Sequence, residues 1–546
     1  MDMRVFAEVD KEIPNLTREL AEGFAYDQLT TLKPINIRGE VRPATVNEQY
    51  INELFEQASK SFPSNLRYVG YRHVTPEEEF TIITNRRREA KRYYDVSKSD
   101  VYLVNYLFTL DGEAIDPVPL YLPFTRRGGI IMIRGAKFMI SPTIVDVALS
   151  VNNDGIFLMG NRFKLTFDRL QCNLMIDGER HSEYVMWSQV YNVKDNRTIR
   201  TTLPHYLFCK FGVQETFNWF GIDARFVSEE FYQADRQSEN PEYPESEWVR
   251  YAPVRKNNPR IRFQQTTKVV ILTPRSQQSH LSRTLGAAFY YTASYFPEKI
   301  TPEDFNSPAL WRRLLGRILF GTSESEGKLI NQIDTHMGSI DDYVDAMVTR
   351  WLAAGGYENI NTIYELFKLV ITVGNELIIN GRKDVSSLYG KRYVVNRYVN
   401  RDIVNGISNF LFSVKKHVNS GKVLKPGDVK KLFNTYLPYG LALKINRDHS
   451  EVKSVSSASD CLIHKITSVT LLQTEASTSG TGPAFGPDKH LDMSISEAGG
   501  HSNQPSRDPS GRSSINPWVT IDAEGTILRN PKYIERMDEY QALIRR

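Results

Sequence analysis

Two periodicities divide the chain. Residues 46–60 (VNEQYINELFEQASK) put Val46, Tyr50, Ile51, Leu54, Phe55 and Ala58 on one face at helical spacing, which predicts an amphipathic helix. Strands are predicted at 66–74, 101–109 and 118–140, where β-branched and aromatic residues are dense. Arg126-Arg127-Gly128-Gly129 and Arg134-Gly135 interrupt the last of these. Their glycines supply the positive φ that tight hairpins need, so 118–140 reads as a short antiparallel meander. IFLMG, RFKLTF, NLMI and KVVILT carry the strand-like pattern on through 150–300. From about 305 to 380 the pattern turns helical, with Tyr343, Val344, Met347, Val348, Trp351 and Leu352 on one stripe. A second helix runs from about Thr362 through Leu377 and stops at Asn380-Gly381. A third, over 401–416, aligns Ile403, Val404, Ile407, Phe410, Leu411 and Val414. Thr474 to Asn516 is dense in Ser, Gly, Thr and Pro and reads as loop. Structure resumes at Pro517–Ile521 and ends in a short charged helix over 533–545. The implied class is a mixed, multi-domain α+β protein.

Length and charge narrow the function only slightly. The 546 residues suggest two to four domains at ordinary domain size. The 68 Lys+Arg nearly balance 64 Asp+Glu, so the charge permits a shared nucleic-acid channel without demanding a free-standing DNA-coating protein. Cys172, Cys209 and Cys461 form no CxxC pair, which disfavours zinc ribbons and a disulfide framework and fits a reducing intracellular compartment. The charged N-terminus lacks the apolar run of a signal peptide, and apolar stretches elsewhere are too short for a membrane span.

Catalytic signatures are conspicuously missing from the sequence. The three Gly-Lys pairs are followed by Arg, Leu and Val, not by the Ser or Thr of a phosphate loop. There is no H-E-x-x-H and no D-x-D. Two-metal phosphoryl transfer needs carboxylates within a few ångströms of one another, and closely spaced aspartates are the economical source. The chain is therefore not expected to make or cut phosphodiester bonds alone.

VPLYLPFTRRGGIIMIRGAKFMISP (118–142), the run 384–417 with Asp384, Leu388, Gly390 and Arg392, and His464-Lys465 within 458–469 belong to a set of five segments that, in fixed order, resembles the N-terminal part of the β subunit of multisubunit DNA-directed RNA polymerase. The first is Phe62-Pro63 followed by Leu66, Tyr68, Val69, Tyr71 and Arg72, with Ala90–Val104 beyond it. VPLYLPFTRRGGIIMIRGAKFMISP (118–142) is similar to a protrusion segment through Pro119-Leu120, Gly129, Ile133, Gly135 and Ile140-Ser141. Asp384, Leu388, Gly390 and Arg392 carry the match over 384–417, and His464-Lys465 carries it over 458–469. Asp508-Pro509-Ser510-Gly511 stands where the family has a T-P-E-G core. Departures are plain: two arginines after His464-Lys465 have become Ile466 and Thr467, and the glutamates around the T-P-E-G position are gone. The interval from about 145 to 380 matches by position alone.

The resemblance implies a β-type protrusion and lobe with a loop-rich fork. Residues 1–45 would be an N-terminal arm, 46–145 the first part of the protrusion, 146–383 the lobe, 384–450 the protrusion return, and 451–546 the fork and split-site end. The family's active-site lysines lie in the remaining half of β, so the split form found in giant bacteriophages is implied. A separate chain would complete β. Other expected partners are β′-like subunits, a promoter-specificity subunit, DNA template and RNA. No cofactor is expected on this chain, and Mg²⁺ would be held by a β′-like subunit. Action is expected in the cytoplasm of an infected bacterium, or from within the virion.

Candidate nucleic-acid contacts are Lys391, Arg392, His464, Lys465, Arg507, Arg512, Arg126 and Arg127; no catalytic or metal-binding residue is assigned. The guanidinium candidates suit phosphate through bidentate pairing. Each also has a plainer reading. Arg126-Arg127, like Arg86-Arg87-Arg88 with Lys91 and Arg92, fits a solvated turn or face. Lys391 and Arg392 fit a structural ion pair, a lone His is usually structural, and 474–516 fits a disordered linker. Trp351 and Tyr343 read as core. Two other functional classes compete with the polymerase: a phage virion or assembly protein, and a stand-alone nucleic-acid-binding module.

Overall fold

A computed structural model describes residues 43–84, 98–123, 130–140, 143–145, 149–151, 155–159, 164–192, 197–254, 267–296, 300–321, 325–340, 344, 346–380, 387–394, 397–438, 452–454, 468–471, 493–498, 512–514, 519–521 and 526–544. They form a mixed α+β protein with two large hydrophobic cores.

The first core is built from segments far apart in sequence. Helix Pro43–Ser59 buries Ile51, Leu54, Phe55 and Ala58 at i, i+3, i+4 and i+7, as its periodicity predicts. It packs on a small antiparallel sheet in which Val101–Leu110 is central, with Leu66–His73 on one side and Val118–Pro123 on the other. A register shift between Tyr68 and Gly70 leaves Val69 bulged and 62% exposed, and Gly70 takes up the unusual φ of +146°. The chain then leaves this core and returns more than 250 residues later. Helix Arg397–Asn419 brings back Ile403, Val404, Ile407, Phe410, Leu411 and Val414, and helix Pro426–Tyr436 adds Val429 and Phe433. Phe55 sits at the junction, its ring 5.0 Å from Tyr106, 5.7 Å from Phe108 and 6.0 Å from Phe433.

The second core lies wholly between Val151 and Ile378. An eight-stranded antiparallel sheet runs through it, centred on the hairpin Lys164–Ile176/Glu179–Asn192. That hairpin turns on Asp177-Gly178, both at positive φ (48° and 90°), the backbone that favours a two-residue connection between twisted strands. Lys164–Phe167 of the RFKLTF run and NLMI belong to one strand, since nothing between them breaks the alternation. Between the strand-like runs of 150–300, in stretches to which the sequence pattern assigned no element, stand the helices Leu203–Phe211, Val213–Trp219, Glu229–Arg236 and His280–Ala293. Leu203–Phe211 buries seven consecutive residues, Leu203 to Cys209, so it has no polar face to reveal a helical period. His280–Ala293 carries its signal in the Ser279/Ser282 capping box, not in a stripe. The expected helices near 350, 370, 410 and 540 are Ala346–Ala354, Ile363–Asn380, Arg397–Asn419 and Pro531–Ile544.

The meander expected over 118–140 is divided between two sheets. Ile130–Ile133 and Ala136–Ile140 do form a hairpin on Arg134-Gly135, at φ 52° and 80°. Val118–Pro123, however, pairs with Val101–Leu110, and the hairpin pairs with Val452–Ser454 instead. Among the described residues, no helix is long and apolar enough to cross a membrane.

Candidate nucleic-acid interface

Lys391 and Arg392 sit at a corner where three distant segments are fastened together. The Leu388 amide donates to Ser494 Oγ (2.8 Å) and the Tyr389 hydroxyl to Glu497 Oε2 (2.6 Å). Gly390 N–H donates to the Ile527 carbonyl (2.9 Å), and Ile527 N–H donates back to the Lys391 carbonyl (2.7 Å). Gly390 turns the chain here at φ +83°, a conformation that other residues adopt at a cost.

Arg392 is 3% exposed, and its guanidinium carbon lies 3.2 Å from the centroid of the Trp351 ring. A desolvated guanidinium over an indole face is worth about 2 kcal/mol. This side chain is therefore stacked against protein, and Lys391 beside it is half-buried. Trp351 belongs to the second core, as its reading from sequence requires, and it also anchors Arg392. The neighbouring Arg350 pairs with Glu53 of the first unit. Burial raises the Glu53 carboxyl above its ordinary value, while the Arg350 guanidinium pulls it the other way. Helix Ala346–Ala354 thus ties the second core to the first unit and to the Arg392 strand at once.

Arg392 and Arg512 enter one four-stranded sheet. Arg392–Val394 pairs antiparallel with Thr143–Val145, that strand pairs parallel with Ser468–Leu471, and Ser468–Leu471 pairs antiparallel with Arg512–Ser514. In register, Arg392 lies opposite Val145 and Arg512 opposite Thr470. Four stretches that lie within or beside the matched sequence segments are thereby brought side by side. Arg126, Arg127, His464, Lys465 and Arg507 fall outside the described residues, as do Arg86, Arg87, Arg88, Lys91 and Arg92. No group of three or more His, Cys, Asp or Glu suited to a metal ion occurs among the described residues.

The model of the non-virion RNA polymerase subunit family matches residues 41–541. The chain belongs to that family. No individual curated protein matches it. The matched interval takes in both cores, the four-stranded sheet and most of the final helix. This RNA polymerase subunit is of phage origin and works within a nucleotidyltransferase complex, alongside other subunits. Membership displaces the virion-assembly and stand-alone-module readings.

One feature of the polymerase subunit had no signal in the sequence. Lys60, Lys210 and Lys415 line a common groove between the two units. They are separated by more than a hundred residues each, and no motif or periodicity links them.

Proposed function

We propose that this subunit is the N-terminal part of a split β subunit, forming one wall of the DNA and RNA channel. Its first unit would be the protrusion, interrupted by the lobe, with the final segments forming the fork. The observation that carries this reading is the discontinuous first core. Residues 51–133 close only with 403–437, while 151–378 form a separate core inserted between them. The order of the matched segments follows the same interruption, and the sheet joining 143–145, 392–394, 468–471 and 512–514 gathers them afterwards.

The mechanism is positional. A rigid wall with backbone and cationic contacts holds template and RNA 3′ end in register, which removes the entropic cost of finding the reactive geometry. The chemistry would be templated addition of ribonucleoside monophosphates. Mg²⁺ would be bound by a β′-like subunit, with no cofactor on this chain. Lys391, Arg512, His464, Lys465, Arg507, Arg126 and Arg127 remain the proposed nucleic-acid contacts. Arg392 would act through its stacking on Trp351, which fixes the strand beside Lys391. The completing partners would be a C-terminal β half, β′-like chains and a promoter-specificity subunit. The family's description as non-virion favours action after infection, in the bacterial cytoplasm, over packaging.

The test is purification of a tagged chain from infected cells, with mass spectrometry of what accompanies it. Several large polymerase chains are expected, one of them supplying the missing part of β. Recovery with a complete β subunit already present, or as a homo-oligomer, would overturn the split-β reading.

A further inference from the structure

Two consecutive residues of one short helix reach two different parts of the molecule. Helix Ala346–Ala354 belongs to the second core. Val348, Trp351 and Leu352 are buried there, and Thr349 Oγ1 donates to the Ile360 carbonyl (2.9 Å). The helix ends in a double hydrogen bond: Gly356 N–H donates to the Ala353 carbonyl (2.9 Å) and Tyr357 N–H to the Leu352 carbonyl (2.8 Å), with Gly356 at φ +87°. A cap of this kind satisfies the last carbonyls and fixes where the helix stops. The helix therefore moves with the second core. Successive side chains leave a helix roughly 100° apart, so Arg350 and Trp351 face different neighbours. Arg350 pairs with Glu53, which sits on helix Pro43–Ser59 between the buried Ile51 and Leu54 of the first core. Trp351 offers its ring to the Arg392 guanidinium, 3.2 Å from the ring centroid.

The strand that carries Arg392 is held in its own right. It pairs with Thr143–Val145, and the Lys391 carbonyl accepts from the Ile527 amide (2.7 Å). Three residues beyond Val394 the chain enters helix Arg397–Asn419 of the first core. First core, second core and four-stranded sheet thus form a closed ring with three links. Two are the Glu53–Arg350 pair and the Arg392–Trp351 stack; the third is the chain itself between Val394 and Arg397. In a closed ring no link can yield without loading the others. We propose that Arg350 and Trp351 act as one coupling device, through which Glu53 positions the strand Arg392–Val394. A shift of the second core on the first is thereby passed to the four-stranded sheet. The coupling does not depend on the split-β reading. Its alternative is two independent ties, each failing alone, and a double-mutant cycle separates the two cases.

Amide hydrogen exchange, resolved to single amides, is followed in the full-length chain within the assembled polymerase. Glu53→Gln removes the charge and keeps the shape. Exchange of the Tyr393 and Val394 amides should rise by roughly two- to fivefold, although Glu53 lies on a different element. Arg350→Gln, which breaks the same pair from its other end, should act in the same direction. Arg392→Lys keeps the charge but removes the planar stack on Trp351. In that background Glu53→Gln should add nothing further at Tyr393 and Val394. Unchanged exchange at these amides in the single Glu53→Gln variant, or an equal rise in both backgrounds, would establish independent ties and overturn the proposal. An equal rise across the second-core strand Glu179–Asn192 would be general loosening and would overturn it as well.

Discussion

At the scale of residues, burial decides what ionisable side chains can do here. His205 is fully buried. Its Nε2 lies 3.0 Å from the Trp311 carbonyl and its Nδ1 lies 2.9 Å from Thr201 Oγ1. A carbonyl can only accept, so Nε2 carries the proton and Nδ1 accepts from the threonine. Burial holds the imidazole at a pKa of about 4, the Trp311 hydrogen bond opposing it, and burial sets His336 at about 4 as well. Both values lie below the unfolded value near 6.5, so the unfolded chain binds more protons in acid. The stabilisation is complete above pH ~6.5 and is lost as pH falls toward ~4, by up to roughly 3 kcal/mol for each histidine. Thermal melting should therefore fall steeply across that window, and His205→Gln should make the slope shallower. A melting temperature constant from pH 6.5 to 4.5 would contradict the assignment. Arg392 teaches the same lesson from the other charge. Its position was marked in sequence by a motif, but its stacking on Trp351 depends on a helix some forty residues earlier.

Among the elements, the returning helix pair shows how a single close approach fixes a crossing. At Gly406 of helix Arg397–Asn419, an added Cβ would lie 2.5 Å from Leu437 Cδ2 and 2.8 Å from the Tyr436 carbonyl oxygen. The leucine tip could turn aside, but the backbone oxygen could not without moving the end of helix Pro426–Tyr436. Gly406→Ala gains helix propensity, about 1 kcal/mol, yet the clash should outweigh it. The expected net effect is destabilisation by about 1–3 kcal/mol, read from denaturant midpoints. An unchanged or raised midpoint would show that the pair can separate freely. Burial on all sides is one reason an element escapes the sequence pattern. A helix buried on every side, such as Leu203–Phe211, loses the polar half of its pattern. Amphipathic helices such as Pro43–Ser59 and Arg397–Asn419 keep both halves and were legible.

The whole molecule is two cores joined by few ties. Glu53–Arg350 is a partly exposed ion pair and contributes at most about 1 kcal/mol. Arg392 on Trp351 is more deeply buried, and it fastens the second core to the four-stranded sheet. The second core draws all its buried residues from 151–378, so a fragment spanning 146–383 retains its complete sheet and covering helices. That fragment is expected to unfold in one cooperative transition, followed by circular dichroism with near-ultraviolet signal from Trp187, Trp311 and Trp351. A broad transition without near-ultraviolet signal would mean that the second core needs the first. The first core cannot be excised in one piece, because Phe55 and Phe108 pack on Phe433, which lies beyond the whole second core in sequence.

By itself the sequence determined the amphipathic helices, the central strands, the turn at Arg134-Gly135 and the lack of a D-x-D motif. These are local properties, written in period, glycine position and residue type. Which strands pair was decided only by tertiary structure: Val118–Pro123 prefers Val101–Leu110 to its own neighbour in sequence. The same holds for the closing of 51–133 with 403–437, for the stacking of Arg392 and for the meeting of Lys60, Lys210 and Lys415. Burial and pairing energies depend on which surfaces meet in space. Sequence separation enters them only as the entropy of closing the intervening loop, which grows slowly with length and leaves no local pattern to read.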